Sequence, residues 1–178
     1  PELTVAHRGL GRACHLDGQP EAAIRHYDEA VRLAPNDAYA HTSRADVLTD
    51  LGRYAEAAAE YDRAIQADPN SSQAHSGSAW LLATCPDDSV RNPEVALERA
   101  QVAVELTNGE DAATLDTLAA AQATNGDFAG ATRSIEQAAQ LATPAEKEMY
   151  LERLALYEQE RPYRLEPAGD VVPTSHEN

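Results

Sequence analysis

The sequence predicts an all-α solenoid of stacked helix-turn-helix units. Three observations lead there: a repeat spacing of 34 residues, an apolar composition carried by alanine, and helix punctuation by proline and glycine at matching offsets. Hydrophobic residues make up 43% of the 178 residues, but aromatics only 5%. A core of small side chains suits helices that approach closely. The length suffices for such a core without a disulfide or metal staple.

The period is read by aligning Pro35 with Pro69. At that offset His7 meets His41, Gly18 meets Gly52, Ala23 meets Ala57, Tyr27 meets Tyr61, Asp28 meets Asp62 and Ala30 meets Ala64. Several of these are the small and aromatic residues that helix packing requires. In the first unit the 3.6-residue pattern predicts helices near 3–16 and 20–33. Gly18 falls in the turn, and Pro20 stands at a first helical position, where proline is tolerated. The second unit predicts helices near 38–51 and 54–67 around Gly52. Pro35-Asn36 and Pro69-Asn70 close the units, and Asp37 and Ser71 are placed to cap the helices that follow.

The third unit, about 72–110, is stretched. His75, Ala79 and Leu82 hold the register of its first helix, then Cys85 to Asn92 form a long turn. Pro93 opens the second helix, with Ala96, Ala100 and Ala103 shifted five residues later. The fourth unit, about 112–145, carries Leu115, Leu118, Ala119, Gly126, Phe128, Ala131, Ile135 and Ala138. Thr143-Pro144-Ala145-Glu146 is a capping box with proline at the first helical position. It opens a closing helix over 144–160, with Leu151, Leu154, Leu156 and Tyr157 as its apolar face. The repeat domain thus runs over 1–163, and 164–178, with Pro167, Gly169 and Pro173, is an extended tail. Acidic residues of the tail are repelled by an acidic solenoid. A partner surface or a neighbouring copy is therefore its expected dock, with Val171-Val172 as anchor.

Units 4–37 and 38–71 resemble the tetratricopeptide repeat (TPR). The first offers His7, Leu10, Gly11, Gly18, Ala23, Tyr27, Ala30 and Pro35. The second offers His41, Arg44, Ala45, Gly52, Ala57, Tyr61, Ala64 and Pro69, with Arg44 at a partly exposed site where the family pattern has leucine. The stretch WLLATCPD from Trp80 to Asp87, followed by RNPE, resembles a bacterial subtype with an enlarged turn. The resemblance implies a right-handed superhelix whose first helices line a concave groove. By repeat register it turns Val5, Arg8, Arg12 and His15 to that groove, then Tyr39, Thr42, Asp46 and Thr49. Gln73, Ser76, Trp80 and Ala83 follow, then Ala113, Asp116, Ala120 and Ala123. It also implies a protein or peptide partner, and Arg8, Arg12, Tyr39, Asp46 and Trp80 are the candidate partner-binding residues. Arg12 and Asp46 share a repeat position, so an internal ion pair competes with ligand binding there. Trp80 is either a groove anchor or, the preferred reading, packed beneath the enlarged turn. Ser43 stands where the family's carboxylate clamp has asparagine, so chaperone-tail binding is not assigned.

Thirty acidic residues against 14 basic give a net charge of −16. That disfavours nucleic acid and anionic membrane surfaces, and no apolar run approaches the ~18–20 residues of a membrane span. His7, His41 and His75 recur at one repeat position, but stacked repeats displace equivalent atoms by roughly 8–10 Å. Ligands to one ion each lie about 2 Å from it, so packing and hydrogen bonding explain these histidines. Cys14-His15 lacks the first cysteine of a haem attachment motif, and no strand precedes Gly9-Leu10-Gly11. Cys85 reads as a small buried apolar group. No zincin, serine-hydrolase, P-loop or EF-hand pattern is present, and neither a cofactor nor a metal is implied. The expected function is a non-catalytic scaffold or adaptor that binds a protein or peptide segment. A second reading is an accessory domain of a larger enzyme or assembly, and a catalytic subunit is the weakest. Self-association is compatible with the sequence.

Overall fold

Short polar residues fix where the helices begin. Asp37, Ser71, Asn92, Asp111 and Asp127 each accept a hydrogen bond from the backbone N–H three residues on. Each satisfies a donor that the first helical turn leaves without a partner. Thr143 and Glu146 form the reciprocal capping box. The computed structural model describes residues 2–167. Among them the chain forms nine helices and no strand: α1 (Glu2–Leu16), α2 (Pro20–Leu33), α3 (Ala38–Asp50), α4 (Tyr54–Ala67), α5 (Ser72–Thr84), α6 (Pro93–Leu106), α7 (Ala112–Thr124), α8 (Phe128–Leu141) and α9 (Pro144–Glu158). None of these helices is long and apolar enough to cross a membrane.

Consecutive helices pair, α1 with α2 through α7 with α8, and α9 packs on α8. The first helices of successive pairs also pack on one another: α1 on α3, α3 on α5, α5 on α7. No comparable packing joins successive second helices among the described residues. The stack therefore curves toward its first helices, which line the inner face of an all-α solenoid. Within the first two pairs the chain turns at Gly18 and Gly52, whose φ of 69° and 72° lies in the left-handed region that favours glycine. The eight-residue turn 85–92 uses polar bonds instead. The Arg91 guanidinium donates to the Cys85 carbonyl at 2.6 Å, and the Asn92 N–H to the Leu82 carbonyl at 3.1 Å. Cys85 is fully buried beside Leu81 and Val90, and burial pushes its thiol pKa up.

Ala23, Ala57, Ala96 and Ala131 have no exposed surface, as close helix approach demands. Two tyrosines reach from second helices onto first helices. A methyl group at Gly11 would sit 2.9 Å from the Tyr27 ring, and one at Gly77 would sit 2.6 Å from Tyr61. Arg44 pairs with Asp28 of α2 at 2.9 Å and with Glu60 of α4 at 3.3 Å, so an ion pair ties three helices at this site.

The recurring histidines work in packing. His41 and His75 each donate through Nε2 to the proline carbonyl that closes the preceding unit, Pro35 at 2.9 Å and Pro69 at 3.0 Å. His41 also meets the Glu60 carboxylate through Nδ1 at 2.7 Å. Both partners only accept, so the ring carries two N–H groups and a positive charge. The Glu60 hydrogen bond holds His41 above its ordinary 6.5. Burial pushes Glu60 upward, but His41 and Arg44 outweigh it and hold the carboxyl below its ordinary 4.5. The position of Glu60 is filled by His26 in the first unit, which meets His7 at 3.2 Å. In the third unit it is Arg99 by the shifted register, and His75 Nδ1 is left without a partner among the described residues.

Two sequence expectations change. The buried stripe of α9 is Tyr150, Arg153 and Tyr157, while Leu151 is 48% exposed. The tail assigned to 164–178 is described only to Pro167, and its start docks on the stack itself: the Leu165 N–H donates to the Thr84 carbonyl at 2.9 Å. A basic and an apolar residue, Arg164 and Leu165, make that contact, so repulsion between acids does not oppose it. Val171 and Val172 lie outside the described residues.

Ala57→Leu is expected to destabilise the chain by about 1–3 kcal/mol through overpacking, measured by urea unfolding; a neutral result contradicts close packing there. His41 makes a second prediction. Its raised value means that its contribution is whole below pH 6.5 and is lost as pH rises through the folded value. The lowered value of Glu60 means that its contribution is whole above pH 4.5 and is lost as pH falls through the folded value. The stability lost in His41→Gln is thus expected to be largest between pH 4.5 and 6.5. It should amount to about 1.5–3 kcal/mol there and shrink in alkaline buffer. A loss that stays constant from about pH 5 to 9 contradicts a charged, doubly bonded ring.

Candidate functional site

The inner face begins with two arginines one helical turn apart on α1. Arg8 is held in place: Nη1 donates to Asp37 at 3.0 Å, and the guanidinium lies 4.4 Å from the centre of the Tyr39 ring. Arg12 is exposed and makes no ion pair among the described residues. It borders a hollow of about 330 Å³ with His15, Tyr39, Ser43, Asp46 and Gln73. His15 meets Asp50 at 2.6 Å on the rim. The Arg12–Asp46 ion pair does not form. Asp46 instead accepts the Tyr61 hydroxyl at 2.6 Å, because α3 turns it toward α4. Burial pushes the Asp46 carboxyl up and the Tyr61 hydroxyl well above 10.

Asp46 also borders a second hollow of about 460 Å³, farther along the groove, with Ser76, Trp80, Asp116, Tyr150, Arg153 and Leu165. Trp80 does not pack beneath the enlarged turn, where Leu81 and Cys85 meet Val90. It is half-buried in the groove, its ring centre 5.5 Å from that of Tyr163. The Arg153 guanidinium lies 4.6 Å from the Trp80 ring centre and 4.7 Å from that of Tyr163. Arg153 also pairs with Asp116 of α7, and both side chains are less than one-tenth exposed. Burial pushes Asp116 up to about 6, and the Arg153 charge opposes it. Burial likewise pushes Tyr150 up to about 12. Beyond the rings, Arg164 donates to the Ala83 carbonyl at 3.2 Å and to the Thr124 hydroxyl at 3.0 Å.

The candidate residues therefore divide. Arg8, Arg12, Tyr39 and Asp46 gather at the open end of the groove, and Trp80 lies under the C-terminal segment. Thr42, Ala83, Ala120 and Ala123, assigned to the groove by register, are buried in helix contacts. Sequence reasoning missed Arg153 and Tyr163. One signal was readable: an arginine at a core position of the stripe Tyr150, Arg153, Tyr157 needs a buried acid somewhere in the fold.

A stack of paired helices with an inner groove defines the class as a helical-repeat protein. The tetratricopeptide repeat model matches residues 6–38 and 17–72. Superkiller protein 3 of Saccharomyces cerevisiae is 41% identical over 49 residues, 28% of this chain, and the matched stretch is 3% of that protein's length. Among solved structures, TTC0263, a thermophilic TPR protein of Thermus thermophilus, is similar with a TM-score of 0.73 and 21% identity. That likeness covers 88% of this chain and 84% of the other. The TPR2B domain of yeast Sti1, solved in complex with pHsp70, is similar with a TM-score of 0.56 and 24% identity, over 75% and 98% of the two chains. Over residues 6–72 the chain matches the tetratricopeptide repeat, and its fold is that of solved TPR proteins.

Arg153→Ala is expected to destabilise the chain by about 3–5 kcal/mol, because it leaves Asp116 buried and uncompensated. Replacing both partners, Arg153→Met with Asp116→Leu, should recover most of that loss. Urea unfolding of the three chains checks both statements.

Proposed function

We propose that the chain is a non-catalytic interaction module that holds a segment of a partner protein along the open end of its groove. The observation that carries this reading is Arg12. It is an exposed cation without an ion pair among the described residues, beside an aromatic ring, a hydroxyl and an amide, at the edge of a hollow of about 330 Å³. Guanidinium groups and tyrosine rings are the side chains that most often dominate binding energy at protein interfaces. In this reading Arg12 takes a carboxylate or a run of backbone carbonyls. Tyr39, steadied by Arg8, packs on an apolar side chain of the segment. Ser43 and Gln73 satisfy its polar groups, and Asp46 keeps Tyr61 in the groove wall.

Support from similarity is of one kind only: the TPR2B domain of yeast Sti1 shares the fold and is solved in complex with pHsp70. Against catalysis stands the internal commitment of the titratable groups with shifted pKa, such as Asp46 on Tyr61 and Asp116 on Arg153. A net charge of −16 argues for a protein segment over a nucleic acid. A second reading, in which the stack is one part of a larger assembly, is favoured by α1. Leu3 and Leu10 lie two turns apart on one side of that helix and are each half or more exposed, an apolar strip of the kind that packs against further surface.

Affinity capture with mass spectrometry names candidate partners, and calorimetry with the purified partner tests the site. Arg12→Ala and Tyr39→Ala are each expected to weaken binding by about tenfold or more while leaving helicity unchanged. Full affinity in both variants excludes this face as the interface.

A further inference from the structure

The C-terminal half of the groove is already occupied by the chain itself. After α9 the backbone enters the groove outside any helix, and three consecutive residues find separate seats. Tyr163 lies on Trp80 at 5.5 Å between ring centres, with Arg153 against both rings. Arg164 reaches the ends of α5 and α7, donating to the Ala83 carbonyl and the Thr124 hydroxyl. Carbonyls at a helix C-terminus lack intrahelical donors and carry the negative end of the helix dipole, so they favour a guanidinium. The Leu165 N–H donates to the Thr84 carbonyl, another of these free acceptors. Stacking, charge and a backbone hydrogen bond together read an aromatic, an arginine and a following N–H in order. That is how a groove recognises an extended peptide rather than how a loop merely crosses a surface.

We infer that this half of the groove is a docking site for an extended aromatic–arginine–aliphatic segment, and that Tyr163-Arg164-Leu165 acts as its built-in competitor. The inference rests on the reading of the groove as a segment-binding face and extends it to a second site with its own chemistry. A partner segment of that pattern reaches Trp80 only by displacing the chain's own residues. Its apparent affinity is lowered by the fraction of molecules in which the site is filled. Among the described residues the open end around Arg12 carries no such competitor, so the two halves of the groove differ in availability.

Trp80 is the single tryptophan of the chain and reports directly on the seat. The experiment uses the full chain and the full-length double variant Tyr163→Ser with Leu165→Pro. The variant removes the stacked ring and the N–H donor while sparing every residue of the repeats. The probe is a synthetic peptide of residues 161–167, Arg-Pro-Tyr-Arg-Leu-Glu-Pro. In the variant the Trp80 emission is expected to move to longer wavelength, and the peptide is expected to bind and reverse that shift. Its binding should be at least about tenfold tighter than to the unaltered chain. Unchanged emission in the variant shows that the segment is not seated on Trp80, and shifted emission without peptide binding shows that the site does not accept a segment in trans; either result overturns the inference. Hydrogen exchange of the Leu165 amide in the unaltered chain gives a reading that does not depend on how the variant folds. Slowed exchange agrees with the bond to Thr84, and exchange at the free-peptide rate overturns it. All of these outcomes are independent of Arg12, so failure here leaves the open end of the groove to be judged by its own test.

Discussion

Helices that touch through alanine come closer than helices that touch through leucine, and the rest of this stack depends on that approach. Ala23, Ala57, Ala96 and Ala131 sit without exposed surface inside their pairs. A larger side chain there would separate the helices and displace everything packed above them. Small contacts alone supply little apolar area and specify register weakly. Larger groups restore both: Tyr27 and Tyr61 fill the space left by Gly11 and Gly77, and polar groups bridge the layers. The His41 ring, bonded on one side to a carbonyl of the preceding turn and on the other to Glu60, fixes where one unit sits on the last.

The helical stack was legible because its signals are local. Alanine spacing, Pro-Asn pairs and capping residues act within a few positions, and Asp37, Ser71 and the Thr143–Glu146 box all make the bonds their spacing implied. The groove was less legible because its chemistry is long-range. Register identified Arg12, Asp46 and Trp80 as inner-face candidates, and each borders a hollow there. It gave no means of choosing their partners. Asp46 prefers a tyrosine 15 positions away to the arginine that shares its repeat position. Asp116 finds its arginine 37 positions on, in a helix that reads as a simple apolar lid. Trp80 meets a ring from beyond the last helix, a pairing that no periodicity contains.

One physical theme joins these pairings. A groove wall built of alanine and threonine offers few anchors of its own, so the C-terminal helix brings them in. Arg153 lies against two aromatic rings that touch each other and neutralises a buried carboxylate. The cost of burying two charges is offset only when both are paired and stacked, as here. The last helix therefore does more than cover the end of a core: it reshapes the inner face and leaves the two ends of the groove chemically unlike.

The ion pairs have a consequence beyond stability. Among the described residues eight of the 13 arginines are spent on internal or neighbouring carboxylates. Their charge is cancelled where it sits, and most of the net −16 is left facing solvent. At physiological ionic strength such a field reaches about 8 Å from the surface. It attracts cationic groups and repels anionic ones. Arg12 is then a small island of opposite sign inside an anionic envelope. Under the proposed function, encounter would select for positive charge and seating for an acceptor, so a segment of mixed charge would satisfy both steps, with an association rate that falls as salt is added while its seated contacts persist.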